Sequence, residues 1–158
     1  MKKVLAIVGR SGVGKTLVTS YLERLGCNNA VSHTTRPMRE GEVNGREHYF
    51  VRTKPQKTLI SGVYGGYDYW VNDEDFKDGW NAYIIDAESL LRLREIMPVR
   101  TMYIKRDNSG IDKERTARDN GILVLDESFY DYVIENSGTK EELYEKVREI
   151  WEIERNQL

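Results

Sequence analysis

The feature that most constrains the fold lies near the start of the chain. Val4-Leu5-Ala6-Ile7-Val8 is a continuous apolar run of strand length, as expected of a strand covered on both faces. Gly9-Arg10-Ser11-Gly12-Val13-Gly14-Lys15-Thr16 follows at once and fits G-x-x-x-x-G-K-[ST] in full. A helical pattern then runs from Lys15 to Leu25, with Leu17, Val18, Tyr21, Leu22 and Leu25 on one face and Gly26 as its stop. Strand, glycine loop and helix in this order make an anion cradle. The glycines let the backbone curl so that successive N–H groups point inward at phosphate oxygens, and the helix N-terminus adds partial positive charge. Lys15 can then reach the β- and γ-phosphates of a nucleotide, and the Thr16 hydroxyl can ligate Mg²⁺. Gly9, Arg10, Ser11, Gly12, Val13, Gly14, Lys15 and Thr16 are therefore the candidate ATP-binding residues. A plain turn joining strand to helix is the alternative, and it does not require the Lys-Thr pair.

The rest of the chain keeps the same alternation. Ala82-Tyr83-Ile84-Ile85-Asp86 is a second buried-type run ending in a carboxylate, Thr101 to Ile104 a third, and Tyr132 to Ile134 a fourth. Ser89 to Met97 is helical in pattern and Pro98 closes it. Thr139-Lys140-Glu141-Glu142 is a capping-box pattern opening a last helix, whose apolar face carries Leu143, Val147, Ile150 and Trp151. Strands alternating with helices imply right-handed crossovers and a parallel sheet, hence an α/β fold. Residues 42–78 break the alternation. They are rich in Gly, Tyr and Thr, with β-like pieces such as His48 to Val51 and Tyr67 to Val71, and they predict a small β-rich insertion beside the main sheet.

Composition excludes several classes. The 158 residues suit one domain, and a net charge of -2 argues against general affinity for nucleic acid or anionic membrane. Cys27 is the only cysteine, so neither an internal disulfide nor a cysteine zinc site can form within the chain. The apolar run after Met1-Lys2-Lys3 is too short for a secretion signal, and no stretch approaches the roughly 20 apolar residues that span a bilayer. A cytoplasmic chain, monomer or homodimer, is the expectation.

The segment from Val31 to Val51, VSHTTRPMREGEVNGREHYFV, places Arg36, Arg39 and Arg46 in a polar, glycine-containing loop. Guanidinium forks suit a phosphate dianion, although a solvated charged loop is the ordinary fate of such a run. This stretch resembles the guanylate kinase signature, in which Ser-x-Thr-Thr-Arg-x-x-Arg-x-Gly-Glu-Val-x-Gly precedes an aromatic pair and Phe-Val. Residues 129–136, FYDYVIEN, are similar to the family's last strand.

The resemblance implies a P-loop NTPase three-layer fold over residues 1–158. Its core would be 1–33 and 79–158, with an acceptor-binding insertion at about 34–78 and a short lid at about 106–122. It also implies a nucleoside monophosphate kinase, moving the γ-phosphoryl of ATP with Mg²⁺ onto GMP, dGMP or a related acceptor. Ser32 would contact the base, Arg36 and Arg39 would hold the acceptor phosphate, and Glu42 would orient that loop. His48 or Tyr49 would bind the phosphate, His48 bringing pH dependence near neutrality. Tyr69 would donate to the same phosphate, unless it is plain core. Asp86 would lie near base and metal, with Glu88 sharing or replacing it, unless Asp86 only caps the next helix. Arg115 and Arg118 would be catalytic lid arginines with Lys15, or else one face of a solvated helix. The family's guanine-reading glutamate has no counterpart in Leu59-Ile60-Ser61-Gly62. That departure keeps open a kinase for another small phosphate acceptor, and a non-catalytic binding module of the same fold is the remaining alternative.

Overall fold

A computed structural model describes residues 1–106, 123 and 125–156 of the chain. Its main sheet has five strands, β1 (Lys2–Val8), β2 (Asn28–Ala30), β7 (Gly79–Ile84), β8 (Val99–Lys105) and β9 (Tyr132–Glu135). They lie in the order β2-β7-β1-β8-β9, and every pairing is parallel. Among the described residues the α-helices are α1 (Lys15–Arg24), α2 (Ala87–Leu93) and α3 (Lys140–Arg155).

The apolar run of β1 has its explanation in two cores. Side chains alternate across a strand, so Leu5 and Ile7 pack on one face and Val4, Ala6 and Val8 on the other. The first face meets Val18 and Leu22 of α1 and Leu143, Val147, Ile150 and Trp151 of α3. The second meets Leu90 and Leu93 of α2 together with Phe76. Helices on both faces make three layers, the α/β arrangement expected, with the open carboxyl ends of the strands as the place for a ligand. Removing a side chain such as Leu5, which is fully buried, would cost about 2–5 kcal/mol.

Four shorter strands form a second sheet, in the order β4-β3-β6-β5. They are β3 (His33–Thr34), β4 (Tyr49–Phe50), β5 (Ile60–Tyr64) and β6 (Tyr67–Val71). β5 and β6 form an antiparallel pair around Gly65 and Gly66, both at positive φ, as a tight turn there requires. A 3₁₀ turn at Asp73–Asp75 leads back to the main sheet.

Several details depart from expectation. Strand β7 ends at Ile84, so Asp86 does not close a strand. It stands as N-cap of α2, its carboxylate accepting from Ser89 N at 3.1 Å. The helix consequently runs over Ala87–Leu93 instead of Ser89 to Met97. On α1, Leu17 is exposed and Thr19 buried. Apart from Arg106, the expected lid at about 106–122, with Arg115 and Arg118, lies outside the described residues.

Candidate functional site

The loop from Gly9 to Thr16 joins the carboxyl end of central β1 to the start of α1. Gly9 is forced by close approach, since a Cβ there would stand 2.6 Å from Ile104 O and 2.8 Å from Val13 Cγ2. Gly12 and Gly14 hold φ of 83° and 108°, the left-handed region that lets the chain curl. Lys15 Nζ donates to Gly9 O at 2.6 Å, folding its ammonium back across the loop. Asn136, just beyond β9, steadies the far side. Its side-chain Nδ2 donates to Val13 O at 2.8 Å, and its backbone N–H donates to Lys105 O at 2.7 Å. Sequence reasoning quoted Asn136 without giving it this role, because nothing in periodicity or motif spacing links it to Val13.

The arginine segment is pinned to the second sheet by its threonine pair. Thr34 Oγ1 donates to Asp68 O at 2.8 Å and accepts from Arg36 N at 3.1 Å, while Thr35 Oγ1 accepts from Asp68 N at 2.9 Å. The Arg36 guanidinium then forks onto Glu42, with Nη1 to Oε1 and Nη2 to Oε2 both at 2.9 Å. It lies over the Phe50 ring, 5.5 Å from its centroid. Glu42 also accepts from Arg39 N at 2.6 Å, which ties the Arg36 side chain to the backbone of the same loop. The hydrogen bond from Arg36 is the main reason its carboxyl is pushed down to about 2.

His48 and Tyr49 point in opposite directions, as adjacent residues do at a strand. His48 lines the cleft; Tyr49 is exposed and stacks on His33 with centroids 5.0 Å apart. His48 Nδ1 shares a 2.8 Å hydrogen bond with Ser32 Oγ, and its ring meets Tyr69 edge-on. Burial, then the positive charge of Arg36, pushes the imidazole down to about 4. His48 is therefore neutral near pH 7 in this structure, which corrects the expectation that it titrates near neutrality.

These pieces enclose one cleft of about 620 Å³. Gly9, Arg10, Ser11 and Lys15 line it together with Ser32, His48, Tyr69, Asp86 and Glu88. A second hollow of about 460 Å³ holds Gly12, Gly14, Lys15, Thr16 and Arg39. The two hollows share Ser11 and Lys15. Arg39 thus faces the glycine loop, whereas Arg36 is buried behind the cleft wall on Glu42. Among the described residues no group of three or more His, Cys, Asp or Glu is placed to hold a metal ion. Thr16 is exposed in the first turn of α1 beside Lys15 and lines this second hollow.

Residues 1–62 match the guanylate kinase family model. The guanylate kinase of Neisseria meningitidis is 33% identical over 110 residues, 60% of this chain and 53% of that protein. That of Lactobacillus acidophilus is 28% identical over 165 residues, covering 84% of this chain and 80% of the relative. Across the first relatives matched, the chain spans about half of their length or less. Among solved structures, guanylate kinase from Anaplasma phagocytophilum superposes with a TM-score of 0.71 over 99% of this chain and 88% of that one, at 23% identity. The family match falls on the glycine loop and the arginine segment, the fold likeness extends along the whole chain, and the chain is thus similar to guanylate kinases in both respects.

Proposed function

We propose that the chain is a nucleoside monophosphate kinase that transfers the γ-phosphoryl of ATP to GMP, dGMP or a related acceptor, releasing ADP. The observation that carries this reading is the meeting of the two hollows at Ser11 and Lys15. An anion cradle and an acceptor cleft that share a lysine are what direct transfer between two phosphates requires.

In this reading the loop amides and Lys15 hold the ATP phosphates. Lys15 exchanges its contact with Gly9 O for the β- and γ-oxygens. Arg39, across from the loop, holds the acceptor phosphate against the γ-phosphoryl. Arg36 contributes positive charge from behind the wall while Glu42 keeps its fork oriented. His48 stays neutral and Tyr69 lies edge-on to it, so both offer hydrogen bonds to the acceptor phosphate without adding charge. In the same reading Ser32 contacts the base and Asp86 lies near base and metal. Mg²⁺ fits Thr16, because it takes few protein ligands and keeps water and phosphate oxygens for the rest; when bound it would neutralise charge on the phosphates. Arg115 and Arg118 complete the proposal as lid arginines. No helix among the described residues is long and apolar enough to cross a membrane, and a cytoplasmic monomer or homodimer accompanies the reading.

The test is ADP release from ATP-Mg²⁺ against a panel of ribo- and deoxynucleoside monophosphates. Turnover that depends on one of them, GMP or dGMP foremost, is the expected result. Binding of ATP-Mg²⁺ without turnover on any acceptor would contradict the assignment, and absence of ATP binding would turn it toward a binding module.

A further inference from the structure

The cleft is short of positive charge where the kinase reading needs it. An acceptor monophosphate brings a dianion into a space that Asp86 and Glu88 already line. The arginines of the acceptor segment answer only part of that charge. Arg36 has its guanidinium committed, Nη1 donating to Pro37 O at 3.1 Å and to Glu42 Oε1, and Nη2 to Glu42 Oε2. Arg39 lines the second hollow. Arg46 bonds Glu47 Oε1 at 2.6 Å and Gly41 O at 2.8 Å. Among the described residues, the Lys and Arg that line the cleft are Arg10 and Lys15.

Both belong to the glycine loop, which sets them close together. Lys15 Nζ donates to Gly9 O, the carbonyl of the peptide that leads into Arg10. Gly9 is itself wedged against Ile104 O and Val13 Cγ2, so the backbone that carries Arg10 is held in place. Two like charges on neighbouring parts of one loop repel, and an anion shared by both relieves that cost. Position 10 is also one that G-x-x-x-x-G-K-[ST] leaves open: the cradle uses its backbone and asks nothing of its side chain. Arg10 lines the cleft and not the second hollow, whereas Ser11 and Lys15 line both.

We propose that Arg10 is a further catalytic residue of the transfer: from the cleft its guanidinium takes the acceptor monophosphate and holds it against the γ-phosphoryl at Lys15, while Arg39 acts from the second hollow. The inference rests on the kinase reading above. In the transfer an oxygen of the acceptor phosphate bonds to the γ-phosphorus. The bond from that phosphorus to the β–γ bridging oxygen breaks, and its electron pair leaves with ADP. The two phosphates repel until that bond forms, so a cation with paired N–H donors on the acceptor's own side lowers the barrier. The Arg10 side chain thus serves the acceptor, although its backbone belongs to the ATP cradle.

The test measures kcat and KM for GMP and for ATP-Mg²⁺, and the binding of GMP and guanosine by calorimetry, in the wild-type chain, Arg10→Gln and Arg10→Lys. If another monophosphate of the panel is the better acceptor, it and its own nucleoside replace GMP and guanosine. Arg10 is exposed, so both substitutions spare the core and the thermal midpoints should match. Arg10→Gln should lower kcat/KM for GMP by about 10- to 100-fold, the scale of a lost hydrogen bond to a charged group. KM for ATP should stay within about twofold, since the loop amides and Lys15 are untouched. GMP binding should weaken by about tenfold, while guanosine, which lacks the phosphate, binds variant and wild type alike. Arg10→Lys keeps the charge without the fork and should recover part of the loss. Unchanged kcat/KM for GMP, an ATP KM that rises in step with the acceptor KM, equal weakening of GMP and guanosine, or no recovery in Arg10→Lys would overturn the role of Arg10 while leaving the kinase reading intact. A wild-type chain inactive on every acceptor would defeat both.

Discussion

The two halves of the cleft are built by different means. The donor half is one unbroken stretch, Gly9 to Thr16, shaped by backbone: a glycine required by Ile104 O, two glycines at positive φ and the first turn of α1. The proposed acceptor half is gathered from Ser32, Arg36, Glu42, His48 and Tyr69, and is shaped by side chains that hold one another. A backbone-made site keeps its form when one functional side chain is removed. A site made of mutually bonded side chains does not, because each truncation leaves a partner unsatisfied. Damage to the donor half should therefore fall on chemistry, and damage to the acceptor half on stability and binding together.

The largest effect expected of this contrast is at Lys15. Lys15→Ala removes one preorganised charge and should cut turnover by about 10²–10³-fold. The thermal midpoint should hardly move, since the ammonium contacts a loop carbonyl and packs into no core. Steady-state rates paired with a melting curve decide it. Retained turnover would contradict the proposed role of Lys15, and a large loss of stability would contradict the backbone-made picture.

Glu42→Ala should do the reverse. It strips Arg36 of a two-pronged partner in a half-buried place and should cost roughly 2–3 kcal/mol of stability. Acid reports on the same pair. The Glu42 pKa is depressed in the folded chain, to about 2, below its ordinary 4.5. Its contribution is therefore complete above about pH 4.5 and is lost as pH falls toward 2. Denaturant melts at pH 7, 4 and 2.5 should show the wild type converging on Glu42→Ala as the pH drops. A constant gap would mean that the pair does not titrate as described.

Gly9→Ala probes the donor half where it is brittle. The added methyl meets Ile104 O at 2.6 Å, and neither β1 nor β8 can retreat without opening the central sheet. A loss of about 1–3 kcal/mol is expected, read as a lower thermal midpoint. A neutral outcome would show the loop to be looser than its contacts imply.

How much of this was legible in sequence follows the same division. Strand β1, the glycine loop and α1 declare themselves because backbone requirements leave local marks: an apolar run, glycines at fixed spacing, a helical face. Strand β2 left no such mark. Asn28 and Asn29 are polar, and the strand is held at the sheet edge by pairing with β7 and by Asn28 Nδ2 donating to Asn81 Oδ1 at 2.6 Å. Asn81 is itself fully buried and satisfied locally through Lys77 and Gly79 O and, far away in the chain, through Lys3 O. In the acceptor half the arginine segment was readable only through resemblance. That Glu42 takes Arg36 and that His48 faces inward while Tyr49 does not both depend on the strand pairing of the second sheet, which short pieces such as His33–Thr34 do not announce.

The smallest effect discriminates most finely. Ser32→Ala removes the hydrogen bond to His48 Nδ1. With His48 neutral, this is a bond between uncharged groups, worth about 1 kcal/mol; were the imidazole charged, it would be worth about 1.5–3. The sign of the pH dependence follows from the depressed pKa. The unfolded chain takes up a proton as pH falls through 6.5, while the folded chain holds the ring neutral down to about 4. Wild-type stability conferred by the buried neutral ring is thus whole above 6.5 and is lost between 6.5 and 4. The gap between wild type and Ser32→Ala should stay flat from pH 8 to 5.5, since the folded ring does not change charge there. A gap that widens through pH 6.5 would mean that His48 carries its proton in the folded chain, and that the acceptor half is more open to water than the cleft described here.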